Sequence, residues 1–191
     1  MTIALDILAG LGLALACGLR PFLPTLVFGA VALASLTLDL DGTDLAFLAE
    51  PWFLLAVTAL FVASIIFHGY ASRPVAASAL SGLAIGLGGL LFAGELASDG
   101  YTWWPGILAG AVAAAFTQVA TRDVLTGARE RLDAEHRGGL PVYIEVVAGL
   151  AAAVAIFLPP VSLIYLAFLI RLLLARRRRD GEKYAGLRSL R

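Results

Sequence analysis

The sequence predicts an all-α, polytopic helical membrane protein with about seven hydrophobic segments. Three observations predict this class. The chain has 191 residues, of which 60% are hydrophobic and only 15% are charged, whereas soluble domains carry about 25% charged residues. The mean hydropathy is +0.90. The charges also gather in short stretches between long apolar runs, which is typical of helices that cross a membrane.

One compact helical domain fits a chain of this length. We expect it to cover residues 1–179 and to be followed by a polar, basic cytoplasmic tail over residues 180–191. The end of the chain, Arg171–Arg191, contains eight of the 14 basic residues. A basic segment after an apolar helix favours anionic lipid headgroups at the cytoplasmic surface. It is short and lacks interleaved aromatic residues, so we expect no nucleic-acid partner.

The first two segments are short and meet at a break. They cover about Ile3–Cys17 and Phe22–Leu38, and the break Gly18–Pro24 contains Arg20 between two prolines. At about 1.5 Å per residue each segment is short for a ~30 Å apolar core, so the pair forms either two short crossings or a re-entrant hairpin. Small residues at four-residue spacing predict close approach of a neighbouring helix: Gly10, Ala14 and Gly18.

The next two segments follow an acidic loop over residues 39–50. Segment three covers about Pro51–His68, and segment four covers about Val75–Gly94. Gly82 and Gly86 lie on one face of segment four, and this spacing predicts a tight helix contact. His68 is a candidate titrating group, although its position at a helix end favours contact with headgroups instead.

The last three segments lead to the basic tail. Segment five starts at Pro105, is apolar to about Ala120 and continues as an amphipathic helix to about residue 135. Segment six covers about residues 141–158 and segment seven about residues 161–175. If all seven segments cross, the basic connections lie on one side: Arg20, Arg73, residues 122–137 and residues 176–179. The positive-inside rule then predicts an outside N-terminus and a cytoplasmic C-terminus in a bacterial inner membrane.

Polar residues within apolar segments are the candidate site residues. Glu145 is a ligand for a proton or cation, or a partner of Arg20 or Arg122, or an interfacial carboxylate that caps a helix start, where the helix dipole favours negative charge. Gln118 makes either an interhelical hydrogen bond or a substrate contact. Arg20 is either a surface anchor or a pore residue. We assign Arg20, Gln118, Arg122 and Glu145 to a substrate or ion cavity.

The sequence contains no motif of a known catalytic chemistry. His68, His136 and Cys17 do not have the spacing of metal ligands. Phosphate-binding glycine loops and nucleophile motifs are absent from the sequence as well. We therefore predict no catalytic residue, no metal and no cofactor.

Two blocks resemble a known family. Ala16–Pro24 and Gly139–Glu145 are similar to the first and a later block of a small bacterial membrane-protein family described as domain of unknown function forty-one twenty-six. The resemblance implies an integral membrane protein and supplies no reaction. Many members have a glutamate before the proline-containing turn that ends segment three. Ile65–Pro74 keeps the proline and lacks the acid, so Glu145 alone would remain of any site with two carboxylates.

The leading functional hypothesis is a small transporter or channel-like protein with a polar cavity between helices. The alternative is a non-transporting membrane scaffold or accessory subunit that binds partner helices through its glycine faces. We expect membrane lipids and further copies of the same chain, as a homo-oligomer, to be partners. The transported molecule or ion does not follow from the sequence.

Overall fold

The computed structural model describes residues 3–66, 74–131 and 139–188. These ranges contain helices and no strand, which confirms the all-α class. Seven α-helices and one short 3-10 helix, Ala46–Ala49, follow each other in the described part of the chain. The α-helices are α1 (Ile3–Leu19), α2 (Phe22–Leu33), α3 (Pro51–Ile66), α4 (Pro74–Ser98), α5 (Trp104–Arg131), α6 (Leu140–Phe157) and α7 (Val161–Arg188).

Helix α1 lies at the centre of the bundle and packs against α4, α5, α6 and α7. From Ala9 to Gly18 every residue except Leu11 is buried. Its small residues permit this packing, because a Cβ atom at Gly18 would overlap the backbone of Ala114 in α5. The close helix approach that the sequence predicts for α1 is therefore present.

Neighbouring helices in the sequence run in opposite directions. In α1 and α4, Gly10 meets Phe92 and Ala14 meets Gly88, so the numbering rises in one helix as it falls in the other. The same reasoning makes α4 antiparallel to α5. Helix α7 is parallel to α1, because Gly12 meets Ser162 and Leu15 meets Tyr165, so the numbering rises together in both helices.

Helix α2 is the shortest of the seven, and its length separates it from the others. Its 12 residues span about 18 Å at a rise of 1.5 Å per residue, well below the ~30 Å of an apolar bilayer core. Segment two was expected to extend to Leu38, but the helix ends at Leu33. Residues 34–50 then pack irregularly on the core through buried leucines: Leu38, Leu40, Leu45 and Leu48.

The two ends of the bundle differ in charge. At one end lie the start of α1, residues 34–50 and the turn from α4 to α5. These stretches carry seven of the 14 acidic residues and no Lys, Arg or His, and we call this the acidic end: Asp6, Asp39, Asp41, Asp44, Glu50, Glu95 and Asp99. The indole Nε1 of Trp103 donates a hydrogen bond of 3.0 Å to Asp44 Oδ2 there.

The opposite end, the basic end, contains the break at Arg20. Tyr165 Oη lies 3.5 Å from the carbonyl oxygen of Leu15. Arg20 and Arg171 follow these two residues by five and six positions, so they lie at nearly the same depth along parallel helices. Helix α7 continues past Arg171 to Arg188, because arginine and lysine are good helix formers.

The outer surface of the bundle is apolar. In α3, Val57 is the one buried residue of a helix made almost wholly of apolar side chains. Two helices are long and apolar enough to cross a membrane, Ala77–Ser98 and Trp104–Gly127. Five further apolar helices in the described part have only 10 to 17 residues.

Candidate functional site

The break between α1 and α2 leaves few backbone N–H groups without a helical acceptor. The first N–H groups of a helix have no partner within it. Pro21 is the N-cap residue of α2 and provides no side-chain cap. Pro24 lies in the first turn, and neither proline has an N–H group. The N–H groups of Phe22 and Leu23 are therefore the two that need an acceptor from elsewhere in the chain.

Glu145 of α6 is that acceptor. Its Oε1 accepts hydrogen bonds from the backbone N–H groups of Phe22, at 2.8 Å, and Leu23, at 2.9 Å. The Glu145 side chain is only 3% exposed. A residue more than 120 positions away in the sequence thus caps the start of α2. The bonds are charge-assisted, which makes them stronger than bonds between neutral groups.

The other polar groups around the break are also paired. The N–H of Arg20 donates to the carbonyl oxygen of Ala16 at 3.1 Å, which completes α1. The carbonyl oxygen of Pro21 accepts a bond of 2.7 Å from the Thr25 hydroxyl and lies 3.8 Å from the Cys17 sulfur. The break is therefore held by specific hydrogen bonds, as expected where backbone groups are buried.

Burial opposes a negative charge on Glu145, and two features of the break partly offset that cost. The half-buried Arg20 interacts favourably with the carboxylate. The N-terminus of α2 adds the positive end of its helix dipole. The structure places Glu145 beside Arg20 and at the start of α2, whereas the sequence suggested the start of its own helix, α6. A role of Glu145 as a ligand for a proton or cation stays a prediction.

Gln118 and Arg122 lie in a different part of the structure. Gln118 Oε1 accepts a hydrogen bond from the Ser81 hydroxyl, and its Nε2 donates to the Ser81 carbonyl oxygen at 3.1 Å. This contact joins α4 to α5. Arg122, one turn further along α5, is exposed. The structure brings Arg20 and Glu145 together and gives Gln118 an interhelical contact of its own.

The glycines expected to pack in segment four contact nothing in the described part of the chain. A Cβ atom added at Gly82 or at Gly86 would meet no atom within 4 Å. The tight contacts of α4 are made further along, where a Cβ atom at Gly89 would lie 2.8 Å from the Ile107 carbonyl oxygen. Packing of Gly82 and Gly86 against another chain stays a prediction. His68 and Arg73 lie outside the described residues.

The structure also joins carboxyl groups that the sequence interpretation did not connect. Asp6 of α1 and Glu95 of α4 are 1% and 4% exposed. The Asp6 side chain is hydrogen-bonded to that of Asp99. Asp6 Oδ2 and Glu95 Oε2 are buried without a hydrogen-bond partner. The signal in the sequence was an acidic residue inside segment one and another directly after segment four. The antiparallel packing of α1 and α4 places these two residues side by side.

The acidic group does not have the arrangement of a metal site. Within residues 3–66, 74–131 and 139–188, no set of three or more His, Cys, Asp or Glu side chains is placed to hold a metal ion. The described part of the chain has two buried carboxyl sites, one near each end of α1. The first contains Glu145 with its partners, and the second contains Asp6 and Glu95.

The described residues thus form a helical bundle with an apolar surface and a break near residue 20 that Glu145 caps. Residues 7–179 match the family described as domain of unknown function (DUF4126). The chain belongs to this family, and the resemblance seen in the two sequence blocks is confirmed. No curated protein and no solved structure matches the chain.

Proposed function

We propose that this protein is a polytopic membrane protein that acts as a small ion-linked transporter or channel-like protein. The apolar outer surface supports the membrane location. Ile66, Val112 and Ile164 are each about 70% exposed, and soluble monomers rarely expose large contiguous apolar patches. The alternating directions of the seven helices support seven segments in the membrane. Helix α2 is too short to cross alone, and residues 34–50 would cover the remaining thickness.

The distribution of charge supports an orientation. The basic end carries Arg20, Arg122 and Arg171, whereas the stretches of the acidic end carry no basic residue. Under the positive-inside rule the basic end faces the cytoplasm of a bacterial inner membrane. The start of α1 then lies on the outside, and the end of α7 lies in the cytoplasm.

The observation that carries the transport proposal is the position of Glu145. Many transporters point the N-terminus of an interrupted helix at an anionic group of the substrate. Here the N-terminus of the short helix α2 holds the buried carboxylate of Glu145, with Arg20 beside it. Ionisable residues inside membrane segments are costly and commonly serve ion or proton pathways.

Flux through purified protein in liposomes tests this role. We expect wild-type protein to move protons or potassium ions faster than empty liposomes, measured with an entrapped pH-sensitive dye and a potassium electrode. Glu145→Gln and Arg20→Ala should each abolish that flux. Glu50→Gln is the matched control, since Glu50 is exposed at the acidic end, and it should keep the wild-type rate.

Two results would contradict the proposal. Wild-type protein that moves neither ion would remove the ion-linked activity. Unchanged flux in both Glu145→Gln and Arg20→Ala would remove these residues from the pathway. Reconstituted amounts and protein orientation are compared first, so that a loss of flux reflects the substitution and not a loss of protein.

A second candidate function is a membrane scaffold that binds partner helices. The observation that favours it is the open face at Gly82 and Gly86, where an added Cβ atom meets nothing within 4 Å. Glycine faces permit close helix approach in membranes. Gly82→Leu should then reduce recovery of a stoichiometric partner in a pull-down from native membranes. Ala77→Leu, an exposed site on the same helix, is the control. Recovery of this chain alone would count against a scaffold of other proteins.

A further inference from the structure

Asp6, Glu95 and Asp99 form a buried carboxyl group at the acidic end, away from Glu145. Asp6 lies in the first turn of α1, and Glu95 lies in the last turn of α4. Asp99 follows directly after α4, and its side chain is hydrogen-bonded to Asp6. Glu95 interacts electrostatically with both aspartates. The side chains of Asp6 and Glu95 are almost fully covered, although they lie near the end of the bundle.

Two of the oxygen atoms in this group have no partner. Asp6 Oδ2 and Glu95 Oε2 are buried and accept no hydrogen bond from the described part of the protein. Transfer of an ionised carboxylate from water into the protein interior costs on the order of several kcal/mol. An opposite charge or several hydrogen bonds are needed to offset this cost. Glu145 has such partners, whereas these two oxygen atoms do not.

The surroundings of Asp6 offer little opposite charge. Glu95 of α4 and Asp99, which follows α4, are both acidic. The described stretches of the acidic end contain no Lys, Arg or His. The nearest ends of α5, α6 and α7, over residues 104–108 and 155–163, contain no titratable side chain. Asp44 of the neighbouring loop is bound to Trp103.

We propose that Asp6, Glu95 and Asp99 form a proton-binding site in which Asp6 and Asp99 share a proton and Glu95 holds a second one. A hydrogen bond between two carboxyl groups needs one proton, because two ionised carboxylates have acceptors only. A proton neutralises a buried carboxyl without a set of ligands, and no metal-binding arrangement is present among the described residues. The inference does not depend on transport and concerns a different group of residues.

Infrared spectroscopy of the full-length protein tests the site directly. The protein is measured at neutral pH in a maltoside detergent, which has no ester carbonyl to overlap the signal. Wild-type protein should show the carbonyl band of protonated carboxyl groups, and this band should shift in heavy water. Asp6→Asn and Glu95→Gln should each remove about half of the band area if the two protons are held as described.

Controls and contrary results distinguish the proposal from its rivals. Glu50→Gln, at an exposed acid of the same end, should leave the band unchanged. Absence of a protonated carboxyl band in wild-type protein at neutral pH would overturn the proposal. Loss of the band on addition of sodium or potassium chloride, with choline chloride as the control for ionic strength, would indicate a site for an alkali cation instead and would also overturn it.

A measurement without substitution covers the case in which a variant does not fold. Wild-type protein is produced with isotopically labelled aspartate carboxyl groups, and then with labelled glutamate. The proposal requires part of the protonated band to shift with each label. A band that responds to neither label, or to only one of them, contradicts the shared arrangement of Asp6, Asp99 and Glu95.

Discussion

The basic and acidic ends bury carboxyl groups to a similar degree but surround them with opposite electrostatic environments. Glu145 is 3% exposed and Glu95 is 4% exposed. Glu145 lies at the N-terminus of α2, where two N–H groups and the positive end of the helix dipole favour its charge. Glu95 lies in the last turn of α4, where the dipole disfavours negative charge. Burial alone therefore does not define the role of an acidic residue in this bundle.

The sharpest test of this difference is the same substitution at both ends. Glu145→Gln should destabilise the protein by about 2 kcal/mol, since it removes the charge from two buried, charge-assisted hydrogen bonds. Glu95→Gln should change stability by less than about 1 kcal/mol or raise it, because it removes a buried acid that lacks a partner. The midpoints of thermal unfolding in detergent give the comparison. Equal losses at both positions would show that the two ends are alike.

A double-mutant cycle separates the contribution of Arg20 from that of the backbone. Arg20 is half-buried, so solvent screens part of its attraction to Glu145. We expect Arg20→Ala alone to cost about 1 kcal/mol, and a coupling energy of about 0.5–1 kcal/mol with Glu145→Gln. Denaturation of the two single variants and the double variant provides these values. Strictly additive effects would mean that the N–H groups of α2 alone hold the carboxylate.

The smallest effect is expected at the surface of the acidic end. Trp103→Phe keeps most of the ring and removes the donor that binds Asp44. This hydrogen bond is exposed, so its loss should cost about 0.5 kcal/mol. Limited proteolysis of residues 34–50 should become slightly faster, because the bond joins this segment to the start of α5. No change in the cleavage rate would show that the buried leucines alone hold the segment.

The sequence predicts much of the fold and one of the two buried carboxyl sites, the one at Glu145. Hydrophobic segments, prolines and glycines predict the helices, since each of these signals is local. Glu145 and Arg20 are also visible from the sequence, because a charge within an apolar stretch needs a partner. The length of α2 cannot be predicted from the sequence. The leucines of residues 34–50 continue the apolar pattern, although the helix has already ended at Leu33.

Packing between distant segments explains the remaining differences. Asp6 and Glu95 are nearly ninety positions apart, and only the antiparallel arrangement of α1 and α4 brings them together. The same limit applies to the glycines of α4. Gly82 and Gly88 have equal chemistry in the sequence, yet a Cβ atom at Gly88 would lie 2.7 Å from the Ala114 side chain, and one at Gly82 would meet nothing within 4 Å.

The capping of α2 by a single oxygen atom has a consequence for cooperativity. Because Glu145 Oε1 accepts from both Phe22 and Leu23, movement of this one atom breaks two hydrogen bonds at the same time. The adjacent prolines supply no N–H groups that would let the first turn open in smaller steps. We therefore expect the start of α2 to lose both hydrogen bonds together rather than one at a time, and the side chain of one residue on α6 to control that loss.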